Sequence, residues 1–152
     1  MFFVGCNLGC VFCQNYEISH QKSRDIGIEA GIPVSPERLT ELFFSLKDQQ
    51  ANNINLVTAD IHIPAVAQAI ALAKAQGLDL PVIFNSGSYI MVESLRMLEG
   101  LVDVYLPDFK SISQGNAAAR LTNFLTFSTE SRSIVMISVS FFETDGNAVK
   151  IC

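Results

Sequence analysis

The sequence predicts an α/β protein built on a parallel sheet, and three observations carry that expectation. Short apolar runs recur with little polar interruption: Ile54-Asn55-Leu56-Val57, Pro81-Val82-Ile83-Phe84 and Val102-Asp103-Val104-Tyr105-Leu106, with Phe2-Phe3-Val4 as a fourth at the start. Such near-continuous hydrophobicity suits strands covered on both faces, as parallel sheets are. Helix signals fill the gaps between the runs, and the length of 152 residues is that of one domain. A chain near this size buries roughly 70% of the surface its unfolded form exposes, so its core needs no disulfide staples.

The first helix is signalled by Ser35 as cap, Pro36 at the first helical position and Glu37 in the first turn. Leu39, Leu42, Phe43 and Leu46 then fall on one face at the i, i+3, i+4, i+7 spacing, so this helix should pack on the sheet. A second helix begins at Pro64 and runs through Val66, Ala67, Ile70 and Ala73 to a stop at Gly77, its small residues permitting close approach to the strands. A third carries Met91, Leu95 and Leu98 on one face and ends at Gly100. Parallel strands need crossover helices, which are nearly always right-handed, so an α/β sheet or partial (β/α) barrel follows. Neither a Gly-x-Gly-x-x-Gly nor a Walker loop follows any strand.

After Lys110 the texture changes, with seven serines in residues 111–152 against seven in residues 1–110. The chain therefore reads as a partial α/β core over 1–110 and a Ser-rich tail over 111–152 that completes or caps the sheet. A helix over about residues 117–125 and a strand over about 134–142 are the elements expected in that tail.

Composition narrows the function. Ten basic and fifteen acidic side chains give a net charge of −5, and no Lys/Arg cluster is present, which argues against a nucleic-acid partner. No run approaches the roughly 20 apolar residues of a membrane span, and the start has no basic leader, so a cytoplasmic location is expected. Of four cysteines, three lie within eight residues (Cys6, Cys10, Cys13) and the fourth, Cys152, ends the chain, a layout unlike a secreted disulfide framework.

Cys6-Asn7-Leu8-Gly9-Cys10-Val11-Phe12-Cys13 spaces three thiols in a loop directly after the first strand. Three converging thiolates call for a soft, multivalent partner, either zinc or an iron–sulfur cluster. A structural zinc site closes with four protein ligands, for which His20 is near in sequence and Cys152 remote. With three ligands, one position stays open to a substrate. The other polar residues at strand ends are Thr58, Asp60 and His62, then Asn85, Ser86 and Ser88, then Asp108 and Lys110, and carboxyl ends are where ligands of parallel α/β folds bind.

In its Cys-x-x-x-Cys-x-aromatic-Cys run, with Phe12 at the aromatic position, the sequence resembles the radical S-adenosylmethionine enzymes. The wider stretch from Phe3 to His20, together with Asn53-Ile54-Asn55-Leu56-Val57-Thr58 and Tyr105-Leu106-Pro107-Asp108-Phe109-Lys110, resembles the branch related to pyruvate formate-lyase activating enzyme. The resemblance covers about residues 1–110. It implies a partial (β/α) barrel, incomplete here at about four to five β/α units. It also implies a 4Fe-4S cluster on Cys6, Cys10 and Cys13, with S-adenosylmethionine chelating the open iron and cleaved reductively to a hydrogen-abstracting 5′-deoxyadenosyl radical. The implied partners are an electron donor such as flavodoxin or ferredoxin and, in the activating-enzyme pattern, a protein substrate.

The same resemblance suggests cofactor contacts at Phe12, Asn85, Ser86, Asp108 and Lys110. Each has a plainer reading: Phe12 as core, Asn85 and Ser86 as turn residues around Gly87, Asp108 and Lys110 as a solvated pair. Thr58-Ala59-Asp60-Ile61-His62 stands where many of these enzymes carry Gly-Gly-Glu, and His62 and His20 read as structural histidines or proton carriers. No catalytic acid or base is singled out. Because the chain opens directly into its first strand and its tail departs from the expected continuation, a truncated or altered member of the family is expected. The alternative is a non-catalytic iron–sulfur or zinc-binding fragment.

Overall fold

The computed structural model describes residues 1–10, 13–19, 31–109, 127, 134–135 and 138–139. In chain order the elements are α1 (Tyr16–Ser19), α2 (Pro36–Asp48), β1 (Ile54–Val57), a 3₁₀ turn (Asp60–His62), α3 (Ile63–Ala75), β2 (Val82–Ser86), α4 (Val92–Arg96) and β3 (Val104–Phe109), followed by β4 (Ile134–Val135) and β5 (Ser138–Val139). The protein is an α/β structure in which β1, β2 and β3 form an open parallel sheet alternating with helices.

Register runs Ile54 opposite Val82 through Val57 opposite Asn85, then Ile83 opposite Val104 through Ser86 opposite Pro107. The winding keeps one direction, and β4 and β5 both pair in parallel with the far side of β3. Pro107, which has no N–H to give, falls between the stretches of β3 that β4 and β5 contact, so its missing donor breaks no described pairing there.

The helix signals translate into packing. Ser35 accepts the Arg38 N–H at 3.2 Å as the N-cap of α2, and α2 buries Leu39, Thr40 and Phe43. Thr40 Oγ1 donates to the Ala69 carbonyl at 3.0 Å, fixing α2 against α3. Small buried residues of α3, Ala67, Ala69 and Ala73, permit that approach, and Gly77 takes φ +90° just after the helix, where a β-carbon would be strained. Beneath the helices lie Ile54, Leu56, Val82, Phe84 and Tyr105. Tyr105 sits edge-on to Phe84 at 6.1 Å and to Phe127 at 5.0 Å, so a tail residue packs onto the central strand.

Three expectations need correction. Phe2-Phe3-Val4 makes a single parallel bridge, Phe2 to Val57, because the Val4 carbonyl goes instead to His62 and Gly5 turns the chain away at φ +95°. The third helix is the short Val92–Arg96, and Met91 stands before it in extended conformation, 68% exposed, rather than sharing the buried face of Leu95 and Leu98. The third run begins its strand at Val104, since Asp103 is occupied by an exchange with Val82: its carboxylate accepts the Val82 N–H at 2.8 Å and its own N–H donates to the Val82 carbonyl at 2.9 Å. The helix expected near 117–125 lies outside the described residues, and the strand expected over 134–142 is described only as β4 and β5. No helix among the described residues is long and apolar enough to cross a membrane.

Candidate functional site

The first residues run beside β1, with the Val57 N–H donating to the Met1 carbonyl at 2.9 Å and the Phe3 N–H to the Val57 carbonyl at 3.0 Å. Parallel alignment carries the chain to the carboxyl end of the sheet, and there the cysteine loop begins. Four contacts pin it. The Gly5 N–H donates to the Ile18 carbonyl at 2.7 Å. A β-carbon on Gly5 would lie 2.6 Å from Ile61 Cδ1, and one on Gly87 2.4 Å from Leu8 Cδ1, so both glycines are faces against which apolar side chains rest. Asn7 Nδ2 donates to the Tyr89 carbonyl at 2.7 Å, joining the loop to the exit of β2.

His62 belongs to this scaffold. Its Nε2 lies 2.8 Å from the Val4 carbonyl, an acceptor only, so Nε2 carries the proton; its ring lies 5.8 Å from that of Phe3. Of its two sequence readings, this bond is the structural one. His20, Phe12, Lys110 and Cys152 lie outside the described residues.

Cys6, Cys10 and Cys13 are free thiols, each half-buried. Burial foremost pushes the Cys6 thiol up; the Leu8 backbone opposes this, and the charges of Asp60, Cys10 and Cys13 add to it. Cys13 Sγ is 3.1 Å from the buried Ser19 Oγ in α1. The donor set therefore fits a soft, multivalent group, with Cys6 within electrostatic reach of both other sulfurs. The loop does not close them around a common point: among the described residues no three His, Cys, Asp or Glu side chains are grouped to hold a metal ion.

Asp60, one of the polar residues expected at the strand ends, is set apart by its burial. It opens the turn after β1, is 9% exposed, and among the described residues neither of its oxygens meets a donor at hydrogen-bonding geometry. Burial pushes its carboxyl up to about 6, with partial relief from the backbone amides of Asp60 itself and Gly87. Its signal in the sequence is an acidic residue inside the apolar stretch from Leu56 to Val66.

At the end of β2, Ser86 is buried and its Oγ accepts the Ser88 N–H at 3.3 Å, a turn contact. Asn85 is half-buried on the opposite face, and its carbonyl accepts the Thr58 N–H at 3.0 Å. Ser88 is fully buried, with no partner for its hydroxyl among the described residues, and both Thr58 and Ser88 have positive φ, +61° and +66°. Strained residues of this kind collect where a site over-determines the backbone. Asp108 lies on β3 opposite Ser138, one strand further from the cysteine loop. The structure thus gathers the cysteine loop, Asp60 and the β2 exit, and leaves Asp108 to the side.

Fold and site together define an α/β protein with a thiol-bearing loop clamped over the carboxyl ends of β1 and β2. No protein-family profile matches the chain. It is 36% identical over 110 residues to the uncharacterized protein MJ0674 of Methanocaldococcus jannaschii, an alignment covering 72% of this chain and 32% of that protein. The chain thus spans about a third of the length of that relative.

Proposed function

We propose that this chain carries the cofactor-binding part of a radical S-adenosylmethionine enzyme, of the branch related to pyruvate formate-lyase activating enzyme, on a partial (β/α) barrel of that type. The observation that carries the reading is the position of three free thiols at Cys-x-x-x-Cys-x-x-Cys spacing in a loop pinned over the carboxyl ends of parallel strands. The single winding direction of the sheet supports it, because a barrel grows by that rule.

In this reading Cys6, Cys10 and Cys13 hold a 4Fe-4S cluster, with S-adenosylmethionine as the second cofactor. When bound, the pair supplies one-electron cleavage of a sulfonium to methionine and a 5′-deoxyadenosyl radical able to take a hydrogen atom from an unreactive C–H bond. The chain's own residues position the loop. Asn7, Leu8 and Gly5 fix the loop to the sheet, and His62 holds its entry through the Val4 carbonyl. Leu8 rests on Gly87 and Ile61 on Gly5, which holds the segment that bears Cys6 against the sheet. A flavodoxin- or ferredoxin-like donor supplies the electron. A second reading, a metal-binding module without catalysis, draws on the ungrouped thiols and on Thr58-Ala59-Asp60 in place of Gly-Gly-Glu.

Anaerobic reconstitution with iron and sulfide, then a low-potential reductant and S-adenosylmethionine, separates the two. The enzyme reading expects 5′-deoxyadenosine from the native chain and none from Cys6→Ala, Cys10→Ala or Cys13→Ala. Cluster without product, or tetrahedral zinc in its place, selects the module and overturns the enzyme.

A further inference from the structure

The loop's contacts with the sheet flank one acidic side chain. Gly5 rests on Ile61, next in sequence to Asp60, and Leu8 rests on Gly87, whose amide faces the Asp60 carboxyl. Cys6 stands between Gly5 and Leu8 in the chain, so the loop segment that bears it is held beside the turn that carries Asp60. Asp60 is nine-tenths buried, and among the described residues neither of its oxygens meets a donor at hydrogen-bonding geometry. Among the described residues no ion pair includes it; those present are Arg38–Glu41, Lys47–Asp79 and Lys74–Asp103. A carboxylate placed this way is costly to the fold and does nothing visible for it. Its charge acts on Cys6.

We propose that Asp60 is a positioning residue for electron transfer: its carboxylate, buried beside the cysteine loop that bears Cys6, holds low the reduction potential of a cluster carried by Cys6, Cys10 and Cys13. The inference rests on the function proposed above and extends it to a residue outside the cysteine set. Adding an electron beside a fixed negative charge is opposed by Coulomb repulsion, and net charge and burial around a cluster are among the factors that set its potential. A low potential is what reduction of a sulfonium demands. In this role Asp60 acts through the cysteine loop and not on the reacting atoms.

The test is a redox titration at pH 8 of the reconstituted native chain, Asp60→Asn and Asp60→Glu, with Asp79→Asn as an exposed control at the other end of the strands. Asp60→Asn should favour the reduced cluster about tenfold, a rise of about 59 mV for a one-electron couple. Asp60→Glu and Asp79→Asn should stay at the native potential. Iron and sulfide content fixes the interpretation. Native and Asp60→Asn chains loaded alike and sharing one potential overturn the role of Asp60 while leaving the proposed function standing. A native chain that takes up no cluster overturns both. If Asp60→Asn alone does not load, Asp60→Ser, smaller and uncharged, takes its place under the same expectation.

Discussion

Asn7 and Tyr89, 82 positions apart in the chain, are joined by a 2.7 Å hydrogen bond from a side-chain amide to a backbone carbonyl. The bond ties the loop bearing Cys6 and Cys10 to the exit of β2, so thiol positions depend on a strand they do not adjoin in sequence. Asn7→Ala removes the donor and leaves an exposed carbonyl that water can satisfy. The expected loss of global stability is small, about 0.5–1.5 kcal/mol in urea unfolding. The larger effect should be local: protease cleavage within residues 5–10 accelerates, and iron uptake on reconstitution slows. Uptake indistinguishable from native would show that the bond does not organise the thiols.

Gly5 combines φ +95° with a neighbour, Ile61 Cδ1, 2.6 Å from where a β-carbon would sit. Gly5→Ala therefore meets backbone strain and a clash together, and should cost about 1–3 kcal/mol. Ile61→Ala in the same chain relieves the clash alone, since strain at positive φ persists whatever the space. The double variant should recover part of the lost stability by thermal denaturation, and full recovery would assign the whole effect to Ile61.

Asp60 gives the metal-free chain an inverted acid response. Its folded carboxyl titrates at about 6 against an ordinary 3.8, because burial disfavours the charge. Between those values the folded state binds more protons than the unfolded one, so this group's contribution falls as pH rises. It is fully present below about 3.8 and gone above about 6, a difference of about 3 kcal/mol at 1.36 kcal/mol per pH unit. Glu37 and Asp79, held below the usual carboxylate range by hydrogen bonds from Ser35 and Lys47, act in the opposite direction, so a comparison with Asp60→Asn is needed to isolate the effect. Urea unfolding from pH 4 to 7.5 should show Asp60→Asn gaining on the native chain as pH rises and exceeding it above pH 6. Parallel pH curves would mean that the carboxyl is hydrated.

Much of this fold is legible in the sequence because its signals are local. Ile54-Asn55-Leu56-Val57 coincides with β1, and Ser35, Pro36 and Gly77 mark helix ends by rules of capping that need no tertiary context. The cysteine spacing is likewise read directly. What escaped depends on distant partners. Met91 fits a helical stripe, yet the chain is still extended there. His62 donates to a carbonyl 58 positions away, which no side-chain pattern records. Thr58 and Ser88 occupy positive φ without being Gly or Asn, the residues that advertise it. Asp60 reads as one of several polar residues at the strand ends, and only the fold shows it nine-tenths buried.

Ser88 provides the sharpest separation of stability from function. Its backbone is left-handed at φ +66°, and its fully buried hydroxyl has no partner among the described residues, so the folded chain bears both a conformational and a desolvation cost at one residue. Ser88→Gly removes both, offset by the extra chain entropy that glycine brings to the unfolded state. The metal-free variant should gain about 1 kcal/mol in urea unfolding. Ser88→Ala removes the hydroxyl while keeping the strain, so its gain should be smaller, and the difference between the two measures the backbone term. Strain retained beside the cysteine loop implies use of the hydroxyl by whatever the loop carries. Both variants should then bind S-adenosylmethionine more weakly than the native chain after reconstitution, and equal affinity would leave Ser88 a structural residue of the β2 exit.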